Sequence, residues 1–121
     1  MTAKEIGNFG EAAAAKYLEE NGISVIKRNF HCREGEIDII AKDKNVIAFV
    51  EVKTRKSKDY GTPAEFVGFR KQQKIMKTAM YYVKRDDIDI RFDVIEVIYI
   101  EKFDGAEVTE ISYIKNAFGG F

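Results

Sequence analysis

Gly35-Glu36-Ile37-Asp38-Ile39-Ile40-Ala41-Lys42 and Val46-Ile47-Ala48-Phe49-Val50-Glu51-Val52-Lys53-Thr54-Arg55 are two apolar runs joined by the polar turn Asp43-Lys44-Asn45. Ile and Val enrichment on either side of a short polar link predicts an antiparallel hairpin. Side chains alternate along a strand, so Ala48, Val50 and Val52 share one face and Ile47, Phe49, Glu51 and Lys53 the other. Both faces are apolar through the first half of the second strand, which predicts cover on both sides. Glu51 and Lys53 then continue a buried face, where charge is costly unless paired or bound to a metal. Folding the hairpin about Lys44 brings Asp38 close to Glu51. Two carboxylates and an ammonium are expected to converge there.

Paired carboxylates repel, and they favour sharing a proton or a divalent cation. Mg²⁺ takes oxygen ligands and keeps several waters. A lysine two residues beyond the second carboxylate can hold an attacking water or stabilise a phosphate. That set of groups suits metal-assisted phosphodiester hydrolysis. The plainer alternative is an edge strand with a charged rim and a surface ion pair.

A chain of 121 residues with 45% hydrophobic and 33% charged content predicts one soluble domain, residues 1–121. No apolar run is long enough to span a bilayer, and no apolar segment opens the chain, so a cytoplasmic protein without a membrane partner is expected. Cys32 is the single cysteine, which suits a reducing compartment. Formal net charge is zero, with 20 basic and 20 acidic residues, which argues against indiscriminate polyanion binding. The basic residues nonetheless cluster, at Lys53, Arg55, Lys56 and Lys58, and at Arg70, Lys71, Lys74 and Lys77. Such clusters suit nucleic acid or are simply solvated charge runs.

Thr2-Ala3-Lys4-Glu5 is a capping-box signature opening a helix that ends near Glu20 or Asn21, with Gly22 beyond it. Ile6, Phe9, Ala13 and Tyr17, flanked by Gly10, Ala14 and Leu18, form its apolar stripe. Glu11 borders that stripe. It either reaches a metal site at the sheet end or is an ordinary solvated residue, and the helix pattern favours the latter. Ile23–Phe30 reads as a strand ended by His31-Cys32-Arg33-Glu34. Thr62-Pro63-Ala64-Glu65 is a second capping signature, interrupted by Gly68. A firmer helix begins near Phe69 or Arg70 and runs to about Lys84, burying Ile75, Met76, Ala79 and Val83. Its first turns carry Arg70, Lys71, Gln72, Gln73 and Lys74. Cations there oppose the helix dipole; a bound phosphate would account for them, and indifferent surface lysines are the alternative. Asp86 and Asp87 suit a turn, Ile90–Ile100 a long strand, Glu107–Ile114 a last strand, and Lys115–Phe121 a docked or frayed tail. The predicted class is α/β, a mixed central sheet flanked by helices, with the fourth strand parallel to the third after a crossover helix.

Asp38 followed by Glu51-Val52-Lys53, within a helix, three strands, helix, strand order, resembles the restriction-endonuclease-like superfamily and its αβββαβ core. More closely, Gly7-Asn8-Phe9-Gly10-Glu11-Ala12-Ala13, Arg28-Asn29-Phe30, Gly35–Ile40, Phe49–Arg55, Tyr60-Gly61-Thr62-Pro63, Arg70-Lys71-Gln72, Arg91-Phe92-Asp93-Val94 and Asn116-Ala117-Phe118 resemble the YraN family of bacterial endonuclease-like proteins, related in their core to archaeal Holliday-junction resolvases. The resemblance covers nearly the whole chain. It implies Mg²⁺ or Mn²⁺ held by Asp38, Glu51 and the Val52 carbonyl, with Lys53 at the attacking water and Glu11 completing the site. It also implies a DNA contact from Arg55, Lys56, Arg70, Lys71, Gln72, Gln73 and Lys74, one of the two glutamines lying near the scissile phosphate. Branched or damaged DNA is the implied substrate. The alternatives are a non-catalytic nucleic-acid- or protein-binding module on the same fold, and a homodimer formed through the edge of the last strand.

Overall fold

The computed structural model describes residues 1–57, 67–85 and 87–119. Lys58, the Tyr60–Pro63 turn, the capping signature at Thr62–Glu65, Asp86 and the last two residues of the tail lie outside them. The elements run α1 (Ala3–Glu20), β1 (Ser24–Cys32), β2 (Gly35–Asp43), β3 (Val46–Lys56), α2 (Phe69–Val83), β4 (Asp89–Lys102) and β5 (Gly105–Phe118). The five strands form one sheet in chain order, with β3 at its centre. Only β3 and β4 pair parallel, and α2 lies in the connection between them. This is the expected mixed α/β sheet.

β3 is apolar on both faces because a separate core sits on each. On one side Ala48 and Val50 pack with Ile39, Ala41, Ile95 and Val97 beneath Ala14 and Leu18 of α1. On the other, Phe49 packs with Ile40, Phe92 and Val94 beneath Ile75 and Ala79 of α2. The alternation read from the sequence is therefore the one observed. α1 opens on a complete capping box. The Thr2 hydroxyl accepts from the Glu5 amide at 3.1 Å, and the Glu5 carboxylate accepts from the Thr2 amide at 2.8 Å. α1 also comes unusually close to β3. A Cβ built on Gly10 would lie 1.8 Å from Thr54 Oγ1 and 2.8 Å from Thr54 Cβ, so only glycine lets the helix settle there.

Two strands run further than expected. β1 continues through His31 and Cys32 into a tight turn, Cys32 pairing with Gly35. β5 continues to Phe118, which pairs with Phe92 and stacks on its ring at 5.3 Å. The polar Lys115-Asn116 step hides this extension in the sequence. It is held by Asp93, a fully buried carboxylate that accepts from the Asn116 amide at 2.8 Å and from Arg91 Nε at 2.9 Å. The Tyr113 hydroxyl also donates to it, at 2.5 Å. Arg91 reaches on to Asp43 of β2 at 2.9 Å, so the network crosses the sheet. Among the described residues, no helix is long and apolar enough to cross a membrane.

Gly10→Ala is expected to lower stability by about 1–3 kcal/mol through overpacking. Gly7→Ala, where a Cβ meets nothing within 4 Å, is expected to raise it by about 0.5–1 kcal/mol. Urea unfolding of the two variants beside the parent checks both signs. Asp93→Ala strips the counter-charge from a half-enclosed arginine and leaves buried donors unmatched. Its expected loss is about 3 kcal/mol or more in the same assay.

Candidate functional site

The backbone ladder between β2 and β3 ends at the Ile39–Val50 pair. One residue further on, a side chain replaces the backbone. Asp38 Oδ2 accepts the Val52 amide at 2.8 Å. The N–H and C=O of a strand residue point to the same edge, so the Val52 carbonyl opens into the same gap. Glu51 lies opposite Asp38 on the next step of the ladder and is buried, on the face covered by α2. The two carboxylates thus meet where β2 peels away from β3.

Their electrostatics follow from crowding. Burial pushes the Asp38 carboxyl up, and the adjoining Glu51 carboxylate pushes it further, to about 8, against the Val52 amide, which favours the ionised form. The Lys71 ammonium of α2 lies 2.6 Å from Glu51 Oε2. Burial works to lower the Lys71 pKa, but Glu51, with Asp38 behind it, raises it overall.

Glu11 is not a solvated helix residue. It is 6% exposed, and Arg28 Nε of β1 lies 3.3 Å from its carboxylate. Burial raises its carboxyl pKa, with Arg28 opposing. Gly10 brings this turn of α1 down onto the sheet, and Glu11, Asn29, Asp38, Val52 and Thr54 line one cavity of about 240 Å³.

The other expected site residues divide. Lys53 is half-buried on the Glu51 face of β3, in register with Glu96 of β4. Arg55 forms an ion pair with Glu96, and Lys56 lies 3.7 Å from Glu101, so acids on β4 already answer these two cations. Arg70, Lys71 and Lys74 line a groove of about 710 Å³ between α2 and the β1–β2 turn, beside Gly35 and Glu36. Gln72 and Gln73 line a different groove with Phe69 and Met76. The Gln72 amide is engaged locally, donating to the Val67 carbonyl at 2.6 Å. Sequence reasoning missed Arg28 as the partner of Glu11, because nothing local links residues that meet only when α1 seats on β1. It also missed that Lys71 answers Glu51.

Among the described residues, no group of three or more His, Cys, Asp and Glu side chains converges as a metal-binding set. Two carboxylates beside an open carbonyl still suit Mg²⁺, which binds through one or two carboxylates and keeps water on its remaining positions. A pair that must otherwise share a proton and borrow a lysine also lacks positive charge. The donor set is of the kind that a hard divalent cation binds.

A family model described as "Uncharacterised protein family UPF0102" matches residues 10–97, a span that includes Glu11, Asp38, Glu51 and Lys53. A UPF0102 protein of Clostridium botulinum (strain Loch Maree / Type A3) is 51% identical over 119 residues, covering 95% of this chain and 94% of the relative. One from Clostridium tetani (strain Massachusetts / E88) is 49% identical over 118 residues, with the same coverage of both chains. Extended over almost the full length of both partners, this similarity places the chain in the UPF0102 family, the YraN family that its motifs resemble.

Proposed function

We propose that this chain is a divalent-cation-dependent endonuclease that hydrolyses DNA phosphodiester bonds. The observation that carries the reading is the buried meeting of Asp38 and Glu51 at the point where β2 leaves β3, with the Val52 backbone in the same gap. Asp38, Glu51 and the Val52 carbonyl would hold Mg²⁺ or Mn²⁺. When bound, such a cation polarises a phosphate oxygen and makes nearby water more acidic. Lys53, on the Glu51 face, holds the attacking water and offsets charge on the phosphate. Glu11 borders the cavity on the α1 side and orients water through its carboxylate. Arg70 and Lys74 of α2 grip the sugar-phosphate backbone. Branched or damaged DNA is the substrate class the motif resemblance favours.

A second reading has its own support. Glu51 already has a cation in Lys71, and no third acidic, histidine or cysteine ligand converges among the described residues. Both facts suit a nucleic-acid-binding module that has no need of a metal.

Cleavage of labelled duplex, single-strand, flap and four-way-junction DNA with Mg²⁺ or Mn²⁺ separates the readings. The nuclease reading expects cutting that falls about 10²-fold or more in both Glu51→Gln and Lys53→Ala, with DNA binding retained. Binding without cutting supports the module instead, and cutting that survives both substitutions removes the proposed site.

Asp38 gives a metal-free test. Its folded pKa, about 8, lies above its unfolded value of about 4. The folded state therefore holds the extra proton between those limits, and this group's contribution to stability is lost as pH rises through that window. Asp38→Asn keeps an acceptor for the Val52 amide and removes the charge. In EDTA it is expected to melt several degrees above the parent at pH 8.5, with no advantage near pH 4. Mg²⁺ is expected to stabilise the parent more than the variant. Thermal melts across pH, with and without Mg²⁺, check this.

A further inference from the structure

We infer that Lys71 is the resident counter-ion of the Asp38–Glu51 pair and competes with the divalent cation for it. The inference rests on the metal-site reading above and goes further by naming what the metal must displace.

The Lys71–Glu51 ion pair is asymmetric. The Glu51 side chain is 9% exposed, whereas that of Lys71 is 62% exposed, with the ammonium 2.6 Å from Oε2. Surface pairs with both ends in water contribute little. Here the carboxylate end is withdrawn from water and crowded by Asp38, so it needs a cation. The lysine end is a flexible stem anchored on α2, able to swing outward without disturbing the core.

α2 offers the released ammonium no new partner of its own. From Phe69 to Val83 it carries Arg70, Lys71, Lys74 and Lys77 and no acidic residue. The other carboxylate acting on Lys71 is Glu36, which is exposed and already lies 3.2 Å from His31 Nδ1. A divalent cation between Asp38 and Glu51 would set two positive charges beside the ammonium, and repulsion at that range drives the mobile partner out. The freed side chain then joins Arg70 and Lys74 in the groove beside the β1–β2 turn. Metal loading thus removes a plug and enriches the positive face in one step.

The test uses Mn²⁺ as the probe, its free fraction read by electron paramagnetic resonance. Lys71→Ala is expected to bind Mn²⁺ about tenfold more tightly than the parent, the scale of one charge-assisted contact removed from the competition. Lys71→Arg keeps the counter-ion and Lys74→Ala leaves it untouched, so both are expected to match the parent. Acetic anhydride labelling read by mass spectrometry gives an independent view. Lys71 is expected to react more slowly than Lys74 in EDTA and at a similar rate with Mg²⁺. Parent-like or weaker Mn²⁺ binding by Lys71→Ala, or Lys71 labelling that ignores Mg²⁺, overturns the competition while leaving the metal site standing. Failure of the parent and all three variants to bind Mn²⁺ overturns the metal site itself, and the inference with it.

Discussion

A single hydrogen bond, from the Val52 amide to the Asp38 carboxylate, sets the terms for everything around it. Strand amides at the end of a ladder must find an acceptor, and here the acceptor is a carboxyl side chain rather than the neighbouring backbone. Asp38 is thereby held against β3 and cannot relax away from Glu51. Burial and that enforced proximity together raise the proton affinity of Asp38, and Lys71 answers Glu51 from α2. Gly10 belongs to the same arrangement, since its contact with Thr54 seats α1 and brings Glu11 to the cavity.

The β2–β3 hairpin was legible residue by residue. Alternating apolar faces and a buried acidic end survive in the fold, because strand periodicity fixes register locally, and the turn falls on Lys44-Asn45, with Asp43 paired to Val46, rather than centring on Lys44. Glu11 was less legible. Helical periodicity measures distance from an apolar stripe, and Glu11 is buried because the helix approaches the sheet so closely, a fact held in Thr54 some forty residues later. The cationic start of α2 was read as opposing the helix dipole, with a bound phosphate or indifferent surface lysines to account for it. The structure gives Lys71 a partner in Glu51, invisible in the sequence because the two elements meet only through the crossover. The end of β5 was hidden for a related reason, since Asp93 supplies from β4 the order that Lys115 and Asn116 lack.

Charge neutrality in this chain is a sum, not a uniform property. Arg55 and Lys56 of β3 are answered by Glu96 and Glu101 of β4, and Lys102 by Glu107 across the β4–β5 hairpin. α2 has no such balance within itself: it carries four cations and no acidic residue, and Glu51 of β3 answers one of them, Lys71.

The two ends of the sheet are built to different stiffness. Toward the β2–β3 turn, Asp43, Arg91, Asp93 and Tyr113 lock three strands together with charge-assisted bonds. At the other end the β2–β3 ladder stops and a side chain stands in for the backbone. Opening fluctuations of a sheet start where its hydrogen bonds are fewest and its bonding groups most accessible. The frayable end is thus the one that carries the carboxylates, while the locked end works as an anvil.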